Sequence, residues 1–181
     1  MDMYYSYTVE SLEDSGCLYT FYSPVNKRLY SVSYDTYTYQ ELLIAFPFLL
    51  QNGCALAFYD VPTEKNFKIK SDKLVSPTIA QTMRDYLAER GNDCVLIYHC
   101  DMKDGRQKAR HVLFERWFRK GNGDGTLIKE GVEVEVFVDN ETRVYYLGYI
   151  TPKTNPNIES IKQEFDAFSY YMPSFVNSKN S

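Results

Sequence analysis

The stretch CLYTFYSPVNKRLYSVSY, residues 17–34, decides the fold class. Apolar side chains occupy every second position on both sides of the turn residues SPVNK. A period of two predicts strands with one buried face, and a short polar turn joins such strands into an antiparallel hairpin. The preceding segment YYSYTVE alternates in the same way and predicts a further strand of the same meander. The residues expected on the buried face are Tyr5, Tyr7, Val9, Cys17, Tyr19, Phe21, Tyr30, Val32 and Tyr34.

Three later stretches also predict strands. CALAFYDV (54–61) adds a fourth strand to the meander, and CVLIYHC (94–100) is apolar at successive positions, which indicates a central strand. GVEVEVFVDNETRVYYLGYI (131–150) predicts a hairpin that turns at DNET. The residues of this hairpin expected to face inward include Val132, Val134, Val136, Val138, Val144, Tyr146 and Ile150.

Two helices are expected before the central strand. Residues 36–52 are ambiguous, and one interpretation is a short helix that stops before Pro47. Ser76 and Pro77 fit the N-cap and the first position of a second helix, which ends at Gly91.

Two more helices follow the central strand. One spans about residues 105–120 and is broken by GNGDG, which we interpret as a flexible turn rather than a phosphate loop. Asn155 and Pro156 cap a last helix. The apolar face of that helix is expected to consist of Ile158, Ile161, Phe165 and Phe168.

These elements predict an α+β fold. We expect a single, mainly antiparallel sheet of about six or seven strands with helices packed on one face. A chain of 181 residues is long enough for one core, and no shift in composition separates a second domain. We therefore predict a single domain over residues 1–170 and a flexible C-terminal tail over residues 171–181.

The bulk composition favours a cytoplasmic protein with no membrane contact. The first residues lack the charged and apolar regions of a signal peptide, and the longest apolar run, residues 42–50, is half as long as a membrane span. Four cysteines without C-x-x-C spacing indicate reduced thiols. The net charge of −4 argues against nucleic acid as a partner.

The segment 101–120 differs from the rest of the chain in charge. It holds seven Lys or Arg and three Asp or Glu, which gives a net charge of +4. Because the whole chain has a net charge of −4, the remaining residues together carry −8. Asp104 and Gln107 have the spacing of a capping box, and Arg106 and Arg110 lie one turn apart on the same side. The stripe expected to face the core is Leu113, Phe114, Trp117 and Phe118.

The helix start allows two interpretations. In the first, it is an anion site in which Arg106 and Arg110 bind a phosphate or carboxylate, with Gln107 and Asp104 beside them. In the second, Asp101 pairs with the two arginines and fixes the helix on the sheet. The second interpretation is the commoner use of arginine–carboxylate pairs, and the sequence favours it.

Catalytic residues are less defined. His99 and Asp101 are candidates for an acid or base, but His99, Cys100 and Asp101 cannot form a triad because neighbours on a strand point to opposite faces. No metal and no cofactor are predicted, since the two histidines have no metal-ligand spacing. Glu133 and Glu135 alternate with valines, as expected of a solvent-facing strand.

The segments CDMKDGRQKARHVLFERWF, VYYLGYI and NPNIESIKQEF resemble a family of small uncharacterised proteins from Bacteroidetes. The resemblance rests on a core of the form D-G-R-Q-x-A-R…F-x-x-W-F and covers roughly residues 54–168. It implies a bacterial cytoplasmic protein with a domain of unknown function. No activity is assigned to that family, so the resemblance supplies no functional residues.

Three functions are compatible with these features. The leading hypothesis is a non-enzymatic module that binds an unknown protein partner or a small anionic ligand through the positive segment around Arg106 and Arg110. The alternative is an enzyme for a phosphorylated or nucleotide substrate, which requires His99, Asp101 and both arginines in one deep pocket. The third is an obligate homo-oligomer subunit that associates through exposed tyrosines, and the chain contains 17 Tyr.

Overall fold

A computed structural model describes residues 3–13, 16–65, 67–100, 105–138 and 140–179, apart from the side chains of 138 and 173–179. The strands are β1 Thr8–Ser11, β2 Cys17–Ser23, β3 Arg28–Asp35, β4 Gly53–Pro62, β5 Val95–His99, β6 Leu127–Val138 and β7 Glu141–Pro152. The helices are α1 Pro47–Asn52, α2 Val75–Arg90, α3 Gln107–Gly121 and α4 Ile158–Lys179.

The seven strands form one sheet in the order β1-β2-β3-β4-β5-β7-β6. Strands β1 to β4 are antiparallel neighbours, and Val32 of β3 pairs with Tyr19 on one side and Phe58 on the other. The β4–β5 pair is parallel, because α2 carries the chain back across the sheet before β5 begins. The remaining pairs, β5–β7 and β7–β6, are antiparallel. The predicted α+β class and the mainly antiparallel sheet are confirmed.

The helices cover both faces of the sheet, so the prediction that they pack on one face is wrong. Leu96 and Tyr98 of β5 belong to a core with α2 and α3, whereas Val95 and Ile97 belong to a second core with α1 and α4. Side chains alternate between faces along a strand, so these two cores lie on opposite sides of the sheet. A strand that is apolar at successive positions requires cover on both sides.

Three local predictions are also wrong. Val9 is 53% exposed, because it lies on the short edge strand β1. Pro47 begins α1 instead of stopping a helix, since the first helical position needs no backbone N–H donor. Helix α2 begins at Val75, so Ser76 lies inside its first turn and its hydroxyl donates to the carbonyl oxygen of Trp117 at 2.7 Å.

The C-terminal elements match their predictions in part. The β6–β7 hairpin buries Val134 and Val136, and α4 buries Ile161, Phe165 and Phe168. Val144 and Tyr146 pair with Glu135 and Glu133, so they lie on the opposite face from the valines, contrary to the prediction. Helix α4 begins at Ile158, so Asn155 is not its N-cap. Helix α4 runs to Lys179, while the flexibility of the chain end and the domain limit at residue 170 stay predictions. No helix of the described residues is long and apolar enough to cross a membrane.

Candidate functional site

Helix α3 packs against the sheet through Phe114 and Trp117. Phe114 is 2% exposed, and its ring centroid lies 4.7 Å from that of Tyr98 and 5.5 Å from that of Phe58. Trp117 also contacts Phe58, at 5.3 Å between centroids. Leu113 was expected in this stripe but is 38% exposed, because it lies about 100° around the helix from Phe114.

The start of α3 is not the predicted capping box. Arg106 is the N-cap residue, and no side chain caps the first turn. Gln107 is therefore the first helical residue, whereas a capping box needs it at the third. Asp104 lies outside the described residues. Gly105 has a φ of 70°, a left-handed conformation that favours glycine.

Gln107 and His111 face inward from the first two turns of α3. Gln107 Oε1 and His111 Nδ1 are buried and have no hydrogen-bond partner in the described part of the chain. The His111 ring stacks on Tyr146 of β7 at a centroid distance of 4.5 Å. Gln107 is therefore a half-buried residue between α3 and the sheet, and its place in an anion site stays a prediction.

His99 lies on the opposite face of the sheet from α3. Its Nδ1 is 2.5 Å from the hydroxyl oxygen of Tyr39, which is buried in the core with α1 and α4. The enzyme hypothesis requires His99 in one pocket with Arg106 and Arg110, and the structure does not bring His99 to their side. Asp101, the second candidate for an acid or base, lies outside the described residues.

Cys100 is buried on the α3 side of the sheet. Burial raises the pKa of its thiol to about 11, and the positive charges of Lys129 and Arg110 offset part of that increase. The thiol is therefore protonated at neutral pH, whereas a nucleophile needs the thiolate. Arg110 is thus a half-buried residue near a neutral thiol, while Arg106 is exposed.

A largely buried ion pair connects α3 to β6. The ammonium group of Lys129 pairs with the carboxylate of Glu115, and the two side chains are 5% and 34% exposed. The Lys129 Nζ atom also lies 5.2 Å from the ring centroid of Tyr98 and 5.8 Å from that of Phe114, a favourable position for a cation. Glu115, the one acidic residue of α3, is consequently turned toward the sheet.

We expect Glu115→Gln to lower the free energy of unfolding by about 1–2 kcal/mol, because it leaves Lys129 buried without its counter-charge. The value is below that of a fully buried pair since Glu115 is a third exposed. Lys129→Met should cost clearly less, because its apolar chain can cover the same rings. Urea unfolding measures both, with exposed Glu133→Gln as the control. Equal losses in the two variants would contradict this account of the pair.

Two facing glycines make room for Tyr98 under α3. Gly148 of β7 pairs with Tyr98 on one side and with Gly131 of β6 on the other. A Cβ atom at Gly148 would overlap the hydroxyl and Cζ of Tyr98, and one at Gly131 would lie 3.4 Å from the hydroxyl. The tyrosine therefore lies flat across the sheet and supports Phe114 and Lys129. This arrangement was not predicted from the sequence, although two glycines within strands are a signal of close approach.

The outer face of α3 is basic with an apolar centre. We define the α3 outer face as the exposed residues Lys108, Ala109, Val112, Leu113, Arg116, Arg119 and Lys120. Val112 is 48% exposed and lies between Lys108 and Arg116, each one turn away. Because Glu115 is turned inward, this face contains four cations and no carboxylate. Val112 was not assigned to a face from the sequence, although a helix that buries Phe114 places Val112 on the outside.

Glu133 and Glu135 are exposed on β6, in agreement with the solvent-facing interpretation.

The turn after α3 is held by side chains, since Asn122 and Asp124 form hydrogen bonds with the backbone of residues 126 and 127. Within the described residues, no group of three or more His, Cys, Asp or Glu side chains is close enough to hold a metal ion.

The described part of the chain thus forms an α+β protein with a basic helix face as its most distinctive surface. Residues 71–167, more than half of the chain, match the model of a family of unknown function, DUF6169, and the chain belongs to this family. The matched segment includes α2, β5, α3, β6 and β7 and therefore the whole α3 outer face. No curated protein and no solved structure matches the chain.

Proposed function

We propose that the protein is a non-enzymatic binding module that docks an acidic segment of a protein partner on the α3 outer face. The observation that carries the proposal is the composition of this face: four exposed cations surround Val112 and Leu113, and the only carboxylate of the helix is paired with Lys129 beneath. Partner sites commonly combine apolar anchors with a charged rim.

Charge makes this face selective for acidic segments. The chain carries −4 overall, while the segment 101–120 carries +4, so an acidic partner is attracted to α3 and repelled by most of the remaining surface. Such a distribution orients the partner and accelerates association. Among the described residues of α3, Lys108, Arg116, Arg119 and Lys120 form no ion pair that would compete with a partner.

The apolar residues favour a polypeptide over a nucleic acid. Single-stranded nucleic acids bind through aromatic side chains that stack on bases. Here Trp117 packs inward on Phe58, and Phe118 packs against the same core, so the outer face offers Val112 and Leu113 instead. Aliphatic side chains of this kind suit leucine-like residues of a peptide.

The test is fluorescence anisotropy with a labelled peptide in which Asp and Glu alternate with Leu. We expect Lys108→Glu/Arg116→Glu to weaken binding by about tenfold or more at low salt, because two attractions of a few tenths to one kcal/mol become repulsions. Binding should weaken as salt is raised. Val112→Ser/Leu113→Ser should weaken it by a similar factor that depends little on salt.

The matched control is Lys68→Glu/Lys73→Glu, which makes the same charge change at two exposed lysines outside α3. It should retain most of the binding. The proposal is overturned if the peptide does not bind at low salt, if the control loses as much affinity as the α3 variant, or if a single-stranded oligonucleotide of equal charge binds more tightly than the peptide.

We also propose a bacterial cytoplasmic location. Four free cysteines, of which Cys54, Cys94 and Cys100 are buried, support a reducing compartment. Burial raises the pKa values of these three thiols to about 11 or 12, which keeps them protonated and unreactive at neutral pH.

A further inference from the structure

Strand β6 forms one of the two edges of the sheet. The sheet ends at β1 on one side and at β6 on the other, and these strands are 4 and 12 residues long. An edge strand presents a row of backbone N–H and C=O groups that have no neighbouring strand and can pair with another chain. Strand β6 therefore offers the longer edge for the addition of a further strand.

The register of the β6–β7 hairpin shows which residues of β6 direct their backbone groups outward. The carbonyl oxygen of Tyr146 accepts a hydrogen bond from the N–H of Cys100, so the backbone of Tyr146 points toward β5. Glu133 lies opposite Tyr146, and its N–H and C=O therefore point away from β7. Alternate residues of β6 share this orientation. We define the β6 edge as the exposed residues among them, Gly131, Glu133, Glu135 and Phe137.

Another outward residue of β6, Leu127, shows how such groups can be satisfied. Its N–H donates to Asn122 Oδ1 at 3.1 Å, and its carbonyl oxygen accepts from Asn122 Nδ2 at 2.9 Å. The side-chain amide of Asn122 thus takes the place of a pairing strand at this position. No hydrogen bond from the described part of the chain reaches the backbone groups of the β6 edge, which therefore offers a donor and an acceptor at each residue.

Charge defines the kind of strand that can pair with the β6 edge. The side chains of Glu133 and Glu135 lie on the same face of the strand and form no ion pair with the other described residues. A residue of an added strand that lies directly opposite either glutamate has its side chain on that same face. A Lys or Arg is attracted there, whereas an acidic residue is repelled. For the same reason, the β6 edges of two copies of this chain repel each other.

We propose that the β6 edge binds an extended segment of a partner protein in which Lys or Arg alternates with β-branched apolar residues. The segment pairs with β6 as a further antiparallel strand, with its basic residues opposite Glu133 and Glu135. Its apolar residues lie on the other face, where they extend the row of valines at 132, 134 and 136. Backbone hydrogen bonds supply affinity in this binding mode, and the alternate side chains supply specificity.

The first test is fluorescence anisotropy at low salt with a labelled Val-Lys-Val-Lys-Val-Lys-Val peptide. In the proposed pairing, the lysine N–H groups point at β6 and the valine N–H groups point away. N-methylation of the three lysines should weaken binding by about tenfold or more, because each methyl group removes a backbone hydrogen bond and blocks close approach. N-methylation of three valines keeps the same composition and charge and should retain most of the binding.

The second test changes the charge of the protein. We expect Glu133→Lys/Glu135→Lys to weaken binding of the unmodified peptide by about tenfold or more, because two attractions become repulsions. The matched control is Glu89→Lys/Glu159→Lys, which makes the same charge change at exposed residues of α2 and α4. It should retain most of the binding. Circular dichroism confirms that each variant is folded.

Several results would overturn the proposal. They are an unmodified peptide that does not bind at low salt, equal binding of the two methylated peptides, and a control variant that loses as much affinity as Glu133→Lys/Glu135→Lys. Sedimentation velocity of the protein alone tests a second copy as the occupant. A wild-type dimer that becomes monomeric in Glu133→Lys/Glu135→Lys would make the β6 edge an interface between copies and would also overturn the proposal. The peptide and the variants differ from those used for the α3 outer face, so failure of either proposal leaves the other intact.

Discussion

Gly148→Ala is expected to lower the free energy of unfolding by about 3 kcal/mol or more, a large share of the 5–15 kcal/mol that stabilises a typical domain. A Cβ atom at this position would overlap the hydroxyl and Cζ of Tyr98 and lie 2.7 Å from the carbonyl oxygen of Glu130. The ring of Tyr98 cannot move away easily, because Phe114 and Lys129 of the α3 interface pack on it. Chemical unfolding of the purified variant measures the loss.

The control is Gly123→Ala, in the open turn after α3, where a Cβ atom would come no closer than 3.9 Å to another residue. Its effect should be within about 0.5 kcal/mol. Tyr98→Leu removes the overlapping ring atoms, so the double variant Tyr98→Leu/Gly148→Ala should be more stable than the sum of the single losses predicts. Strict additivity, or a Gly148→Ala protein as stable as the wild type, would show that the glycine is not needed to accommodate Tyr98.

The meander could be predicted from the sequence because its information is local. Each strand alternates with a period of two, and the polar turn between β2 and β3 fixes their register, so the buried positions Tyr19, Phe21, Tyr30 and Val32 follow directly. The edge strand is different. Val9 follows the same alternation and is exposed, since it lies on the edge strand β1.

The two-sided cover of the sheet was not predicted, although β5 contains the signal. Val95, Leu96, Ile97 and Tyr98 are all buried, and a strand that is apolar on both faces needs a layer on each side. What the sequence does not reveal is which helix supplies each layer. That choice depends on tertiary contacts such as the carboxylate of Glu164, which accepts hydrogen bonds from the first N–H groups of α1.

The helix that carries the basic segment was predicted from the sequence, but the residues on its two faces were predicted only in part. The basic segment was identified from its charge, and its central helix was confirmed. Leu113 was predicted to face the core, and the structure exposes it. Gln107 was predicted in an anion site, which stays a prediction, and its side chain is half-buried. Successive residues lie about 100° apart around a helix, so the face that each residue occupies follows from which residue packs on the sheet, here Phe114.

The basic segment has an inner and an outer side in the structure. Arg110 is half-buried near Cys100, and the pair of Glu115 with Lys129 connects the helix to β6. Lys108 and Arg116 project to the outside, where a charge contributes little to folding. The inner side of α3 thus carries the ion pair with β6, and its outer side carries the cations of the proposed binding surface.

The protein is expected to unfold cooperatively at alkaline pH, because its cores contain many buried tyrosines. Burial raises the pKa above the ordinary value of 10 for Tyr34, Tyr39, Tyr86, Tyr98 and Tyr149. These five side chains are 0–6% exposed. Above pH 10 the unfolded chain loses protons that the folded chain keeps, so increasing pH favours the unfolded state.

The size of the effect follows from proton linkage. A group that stays protonated only in the folded state lowers the free energy of unfolding by about 1.4 kcal/mol when the pH is one unit above its ordinary pKa. Five tyrosines therefore lower it by up to about 7 kcal/mol at about pH 11. That is comparable to the total stability of a domain, and we expect unfolding between about pH 10 and 11.5. The three buried thiols add to the loss from lower pH, since the ordinary pKa of a thiol is below that of tyrosine.

Circular dichroism and absorbance at the tyrosinate band, recorded together against pH, test this expectation. Loss of helix signal and ionisation of the buried tyrosines should occur in one step. Tyr98→Phe provides a sharp comparison, because the Tyr98 hydroxyl is buried with no hydrogen-bond partner in the described part of the chain. Removal of the hydroxyl breaks no hydrogen bond and eliminates one titrating group, so the midpoint of alkaline unfolding should move to higher pH. Complete tyrosine ionisation in a chain that keeps its helix signal would instead mean that the buried rings are accessible in the folded state.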